Sequence, residues 1–169
     1  MRRLTSDPTD VGPTFRYGGA QILFARHVDG QPRVTAVPVD GGEPTPLLEP
    51  GTDGPAASPV DDRVAFLAGG VADALPMIWD GHTGARRPLS PKLTPGRYAS
   101  LRFSLDGKRV AVVRGDTDLL EIDAATGNIA RTWTPPNAEA AYNPTYTPVG
   151  LLVERVSWQG NIWVADAEW

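Results

Sequence analysis

Residues Ser104–Val113 read SLDGKRVAVV. The Asp and Gly belong to a tight turn, and Arg-Val-Ala-Val-Val is a short apolar run of the kind that forms a strand buried on both faces. The fold depends on whether this unit occurs once or recurs. It recurs. A short segment with an aromatic or small residue precedes each of four turns: Pro13-Thr14-Phe15, Pro55-Ala56-Ala57, Leu101-Arg102-Phe103 and Pro144-Thr145-Tyr146. Phe15, Ala57, Phe103 and Tyr146 follow one another at intervals of 42, 46 and 43 residues. The turns are Tyr17-Gly18-Gly19, Ser58-Pro59-Val60-Asp61-Asp62, Ser104-Leu105-Asp106-Gly107 and Thr147-Pro148-Val149-Gly150. Their Gly and Asp residues are expected to supply the positive φ of two-residue hairpins.

A second strand follows each turn, at 21–24, 63–66, 109–113 and 151–153, and a third at 33–37, 76–80, 119–123 and 161–166. Three of the third strands end on a glycine turn, as in Asp80-Gly81-His82-Thr83-Gly84. An outer strand comes next, at 46–48, 87–89 and 130–133. The prolines in two of these outer strands suit a sheet edge, where a missing N–H costs no ladder hydrogen bond. Four short antiparallel strands per unit of about 40–45 residues predict an all-β fold, a β-propeller of four blades in one domain spanning 1–169. The blades fall at 10–49, 52–90, 98–134 and 142–169. The last lacks its outer strand, and Arg2-Arg3-Leu4-Thr5 matches the outer strand Arg86-Arg87-Pro88-Leu89, so a strand at 2–5 is expected to complete it.

Composition fits this reading. The 169 residues are 41% hydrophobic and 21% charged, with 18 Gly and 17 Pro, which suits many short strands joined by many turns. A net charge of −4 argues against a general nucleic-acid binder. The absence of cysteine excludes disulfides, thiolate metal sites and Cys nucleophiles. Met1–Pro8 has basic residues but no apolar run behind them, so it does not read as a signal peptide, and no apolar segment approaches the roughly 20 residues of a membrane span.

The repeat resembles a known one. Ser104-Leu105-Asp106-Gly107-Lys108-Arg109-Val110-Ala111 is similar to the SPDGKRIAF segment of TolB-like (WD-like) β-propeller repeats, and Asp40-Gly41-Gly42-Glu43-Pro44-Thr45-Pro46-Leu47 to their DGGEPRRLT segment. Arg3-Leu4-Thr5-Ser6-Asp7-Pro8 resembles the same tail. The resemblance spans the chain but departs from the pattern at Pro59-Val60-Asp61-Asp62 and at Thr147-Pro148-Val149-Gly150. It implies a fold found in interaction proteins and in accessory domains of enzymes, often with six to eight blades, and a bacterial protein exported to the periplasm or beyond the cytoplasm. Three assemblies follow: a closed ring of four blades, half of an eight-bladed ring made by a homodimer through exchange of N-terminal strands, or a fragment of a longer propeller. The bulky inner-strand residues Phe15, Phe103 and Tyr146 favour the wider, dimeric ring.

Catalysis finds little support. There is no Gly-x-Ser-x-Gly elbow, P-loop or His-Glu-x-x-His motif, and His27 and His82 read as loop and turn residues. The pairs Asp61-Asp62 and Asp116-Thr117-Asp118 lack the spacing of a calcium loop, so neither a metal nor another cofactor is expected. Binding is the better reading. Arg26, Arg114 and Arg155 end the second strand of three units, and Arg16 and Arg102 lie on or beside inner strands, so a propeller brings them toward one axis. Converging guanidinium groups suit an anion, either a small carboxylate ligand or an acidic peptide of a protein partner. The alternative is that each arginine pairs with a nearby carboxylate. Tyr98, Trp158 and Tyr142 fall in loops, where aromatics anchor partners. Trp79, Trp133 and Trp163 sit on strands and read as contacts between blades. The expected activity is therefore a non-enzymatic scaffold, with a substrate-gating domain of a larger hydrolase or a structural unit that assembles by strand exchange as alternatives.

Overall fold

The computed structural model describes residues 3–115, 117–135, 140–156 and 162–166. Fifteen strands and no helix occur among them, so no helix is long and apolar enough to cross a membrane. The strands are β1 (Val11–Phe15), β2 (Gln21–Val28), β3 (Gln31–Pro38), β4 (Thr45–Pro46), β5 (Thr52–Ala57), β6 (Arg63–Ala68), β7 (Leu75–Asp80), β8 (Arg86–Pro88), β9 (Tyr98–Phe103), β10 (Arg109–Arg114), β11 (Asp118–Asp123), β12 (Ile129–Trp133), β13 (Ala140–Thr147), β14 (Gly150–Val156) and β15 (Ile162–Asp166). They form four antiparallel meanders in chain order, β1-β2-β3-β4, β5-β6-β7-β8, β9-β10-β11-β12 and β13-β14-β15. The recurring unit in the sequence is thus one sheet, and the outer strands with proline, β4 and β8, are edges.

The sheets stack face to face in chain order, with β1 against β5, β5 against β9, and β9 against β13. Alternation along the second strands divides their side chains between the two neighbours. In β6, Val64 and Phe66 join Leu23, Val34 and Leu48 of the first sheet, while Ala65 and Leu67 join Leu101, Phe103, Val110 and Val112 of the third. In β10, Ala111 and Val113 pack with Leu151 and Val153 of the fourth sheet. Both faces of the middle sheets are buried, which is why their second strands are continuous apolar runs. Polar groups staple neighbouring sheets at one end. The Arg16 guanidinium makes two 2.6 Å hydrogen bonds to the Asp62 carboxylate, Arg63 donates to the Gly107 carbonyl at 2.8 Å, and the Tyr146 hydroxyl donates to Glu121 at 2.7 Å.

Two expectations change. Three of the four inner turns are five-residue loops, because five residues separate β1 from β2, β5 from β6 and β9 from β10. In the Ser104–Lys108 loop the Gly107 amide donates to the Ser104 carbonyl, and the Asp106 carboxylate accepts from the Ser104 hydroxyl at 2.7 Å and the Lys108 amide at 3.0 Å. These side-chain bonds build a longer loop than a bare Asp-Gly pair requires. Among the four inner turns, Pro148-Val149 alone is a two-residue connection. The second change concerns the N-terminal strand. Within this chain, Arg3–Thr5 forms no strand and does not pair with β15. Arg3 instead donates to the carbonyls of Thr5 and Ser6, and Leu4 and Thr5 lie beside the first sheet, at the far end of the stack from the fourth. Arg2 lies outside the described residues.

Candidate binding face

The inner strands share a distortion. Gly12, Gly54, Ser100 and Asn143 have φ values of 62°, 57°, 48° and 46°, and each lies where the pairing with the second strand slips. Each stands three residues before Phe15, Ala57, Phe103 or Tyr146, so the bulge occupies one position of the repeat in all four sheets. A bulge increases local twist and re-aims the neighbouring side chains. Four in a row define one end of the stack, here the bulge end, opposite the turns.

A cavity of about 670 Å³ opens at the bulge end, across the first three sheets. The β2–β3 hairpin contributes His27, Gln31 and Pro32, and β5 contributes Asp53 and Gly54. The segment after β6 adds Gly69, Gly70, Val71 and Ala74, and β9 adds Tyr98 and Ser100. The glycines leave room that side chains would fill. At Gly30 and Gly51 an added Cβ would meet nothing within 4 Å. The wall is mixed. Leu67, Ala74 and the buried Tyr98 ring are apolar, and the Tyr98 hydroxyl donates to the Thr94 carbonyl at 3.0 Å. Burial raises the Tyr98 pKa, which keeps that hydroxyl a donor at neutral pH. The Asp53 carboxylate accepts the Gly54 amide at 2.6 Å within the bulge.

Arg26 and Arg114 lie at the bulge end, but each already has a carboxylate. Arg26 forms a bidentate pair with Asp10, at 2.7 and 2.8 Å, and its guanidinium stands 5.4 Å from the centre of the Phe24 ring. The Arg26 hydrogen bond holds the Asp10 carboxyl below its ordinary value, and the same bond raises the Arg26 pKa. Arg114 donates to Asp118 at 2.6 Å, which with the Thr134 hydroxyl lowers the Asp118 pKa. Arg114 stands opposite Tyr98 in the ladder. Arg155 occupies the matching place in the fourth sheet, opposite Ala141. Arg16 is at the turn end, paired with Asp62, which raises its pKa, and lies over the Trp79 ring. Arg102 is exposed on β9, toward the turn end. The five arginines therefore divide between two ends, and Arg16, Arg26 and Arg114 each pair with a carboxylate. Trp158 lies outside the described residues. His82 is exposed in a turn organised by Asp80, whose carboxylate accepts the His82 and Thr83 amides. Among the described residues no three His, Cys, Asp or Glu side chains are grouped to hold a metal ion.

Tyr98 and Tyr142, expected in loops, lie instead on β9 and β13, with the buried Tyr98 ring in the cavity wall, and sequence reasoning singles out neither His27 nor Asp53 as a cavity residue, nor the bulges. The signal for the bulges was the position three residues before the inner-strand aromatic, not a residue type.

No protein-family model and no curated protein matches this sequence. Solved structures do match it. A TolB structure from Agrobacterium tumefaciens superposes with a TM-score of 0.69 at 15% identity, covering 86% of this chain and 53% of that one. TolB from Acinetobacter baumannii gives 0.65 at 21% identity, covering 95% and 44%. The β-propeller domain of the Trilobed protease from Pyrococcus furiosus, described as having an open velcro topology, gives 0.60 at 11% identity, covering 92% and 56%. The chain thus spans about half the length of the TolB chains it matches. Its meanders, stacked in chain order with the bulged strand first in each, have the fold of the TolB-like β-propellers.

Proposed function

We propose that the chain is a propeller module that works as a non-enzymatic scaffold and holds a segment of a protein partner at the bulge end. The observation that carries this reading is the 670 Å³ cavity, open beside the glycines of the hairpins and framed by Tyr98, Leu67 and Ala74. Its apolar wall with a few polar groups suits a peptide side chain better than a small anion, because Arg26 and Arg114 are already paired. The arginines keep a secondary role in the proposal. Arg114 is half-exposed at the bulge end, so it can meet a partner's carboxylate at the rim. The ring around this face is completed by a second copy of the chain.

The test is selection from a displayed random peptide library on the purified chain, with Ser100→Trp as counter-selection because Trp at that site fills the cavity. Enrichment of a shared apolar motif that Ser100→Trp no longer retains is the expected result. No enrichment, or binding indifferent to Ser100→Trp, overturns the proposal. Charge reversal of Arg26, Arg114 and Arg155 together is expected to weaken the selected peptides only if they carry acidic residues.

A second reading is a substrate-gating propeller of a hydrolase. It is favoured by the similarity to the Trilobed protease propeller and to the Pyrococcus horikoshii acylaminoacyl peptidase, where the TM-score is 0.59 at 10% identity over 92% of this chain and 32% of that one. A catalytic domain encoded in the same reading frame would favour it over the stand-alone scaffold.

A further inference from the structure

The two end faces of the stack differ from the interior faces. Ile22 and Phe24 occupy the positions of Val64 and Phe66 in the second sheet and of Val110 and Val112 in the third. In those sheets the pairs face the preceding sheet. On the first sheet no preceding sheet exists among the described residues, and Phe15 is 66% exposed while its counterpart Phe103 is 6% exposed. No hydrophobic cluster joins the first sheet to the fourth among the described residues. The face of the first sheet is therefore built as an interior surface without its neighbour.

Leu4 lies over this face. A cavity of about 350 Å³ is bounded by Arg3, Leu4 and Thr5 on one side and by Val11, Pro13, Ile22, Phe24 and Val37 on the other. Two residues elsewhere hold the same relation. Leu48 follows the outer strand β4 and packs with Val64 and Phe66, and Leu89 follows the outer strand β8 and packs with Val110 and Val112. Both are buried because a sheet covers them from each side, whereas Leu4 is only half-buried. By this equivalence Arg3, just before Leu4, stands where the outer strand of a preceding sheet runs. The fourth sheet is the one with three strands, and the edge of β15 away from β14 is unpaired among the described residues.

We propose that two copies close on each other by exchanging this segment: Arg2–Thr5 of each copy adds to β15 of the other as its fourth strand, while Leu4 stays seated on its own first sheet and becomes buried under the partner's fourth sheet. This rests on the reading of a ring completed by a second copy. A second copy is the favoured occupant because the segment that resembles an outer strand and the sheet that has only three strands belong to the same chain but lie at opposite ends of its stack. The sheets stack in chain order, which leaves the first and fourth sheets apart within one copy. The added strand satisfies the open backbone edge of β15, and the docked faces remove Phe15, Val11 and Ile22 from water.

The experiment is light scattering after size exclusion across a range of concentrations, on the wild-type chain and on a chain lacking Arg2–Thr5. Arg3–Thr5 belongs to no sheet, so the deletion leaves the core intact, and circular dichroism checks this. The expected result is a wild-type mass of twice 18.1 kDa and, after deletion, a dimer weakened by about 100-fold or more, as befits the loss of an edge strand. A wild-type dimer untouched by the deletion overturns the exchange and leaves the two-copy ring standing. A wild-type monomer at every concentration overturns both and assigns the open face to another occupant. The chain has no cysteine, so a crosslink adds a second readout. Arg3→Cys protein mixed with Ala165→Cys protein is expected to give a disulfide between chains. A double variant that crosslinks only within one chain overturns exchange in favour of closure in cis.

Discussion

At the scale of single residues, the clearest case is Asp10. Its side chain is 9% exposed and holds both arms of Arg26. The hydrogen bond from Arg26 outweighs the cost of burial and lowers the carboxyl below its ordinary value of 3.8. A group depressed in the folded state stabilises the fold fully above its unfolded value and loses that contribution as pH falls through the folded one. The pair's contribution is therefore complete at neutral pH, begins to be lost below about pH 4 and is gone only below the depressed folded-state value. Asp10→Asn is expected to lower the urea midpoint at pH 7, by about 1–2 kcal/mol in unfolding free energy, and the gap from the wild type should narrow as the pH is lowered below about 4. A second residue, Gly107, sits in the loop of SLDGKRVAVV with φ of 67°, and a Cβ there would stand 2.3 Å from a methyl of Val60 on the second sheet. Gly107→Ala combines left-handed strain with a clash between sheets. A loss of about 1–3 kcal/mol is expected, read as a lower midpoint with the denaturant slope unchanged.

At the scale of elements, the bulged inner strand is the feature the sequence concealed. Short apolar runs and glycine turns recurring every 42–46 residues revealed every strand of the three complete meanders within a few residues, because a strand buried on both faces is a continuous apolar run. The bulges left no such trace. Gly12, Gly54, Ser100 and Asn143 share a backbone conformation, not a side-chain chemistry, and Ser in particular gives no hint of a positive φ. The arginine pairs were hidden for a related reason. Arg16 meets Asp62 only because the first two sheets stack, and nothing local in the sequence marks that partner. The turn after β9 was recognisable as a turn, but its length was not, since Asp106 organises it through its side chain. Bulge geometry gives a direct prediction. Gly54→Val places a branched side chain at φ of 57° and should cost about 1–3 kcal/mol, whereas Asn143→Gly removes strain at φ of 46° and should leave stability equal or higher. Thermal midpoints of the two variants, compared with the wild type, check this contrast.

At the scale of the whole molecule, the stack is uniform inside and unfinished at its ends. The leucine that seals the first two interior junctions, Leu48 and then Leu89, recurs at Leu4 without a neighbour above it. That repetition was readable from Arg2–Thr5, whose likeness to the outer strands was visible in the sequence, although its place within one copy was not. The two end faces are different surfaces, one carrying Phe15 and the other the fourth sheet, so the proposed completion by a second copy would join unlike patches. Such head-to-tail contacts have their own geometric rule. If four sheets sweep half a turn, the second copy returns to the first and growth ends. If they sweep any other angle, each added copy presents a fresh Phe15 face, and the same contact winds into a filament without end. Under the proposed completion by a second copy, the rotation between neighbouring sheets thus decides between a discrete particle and a fibre.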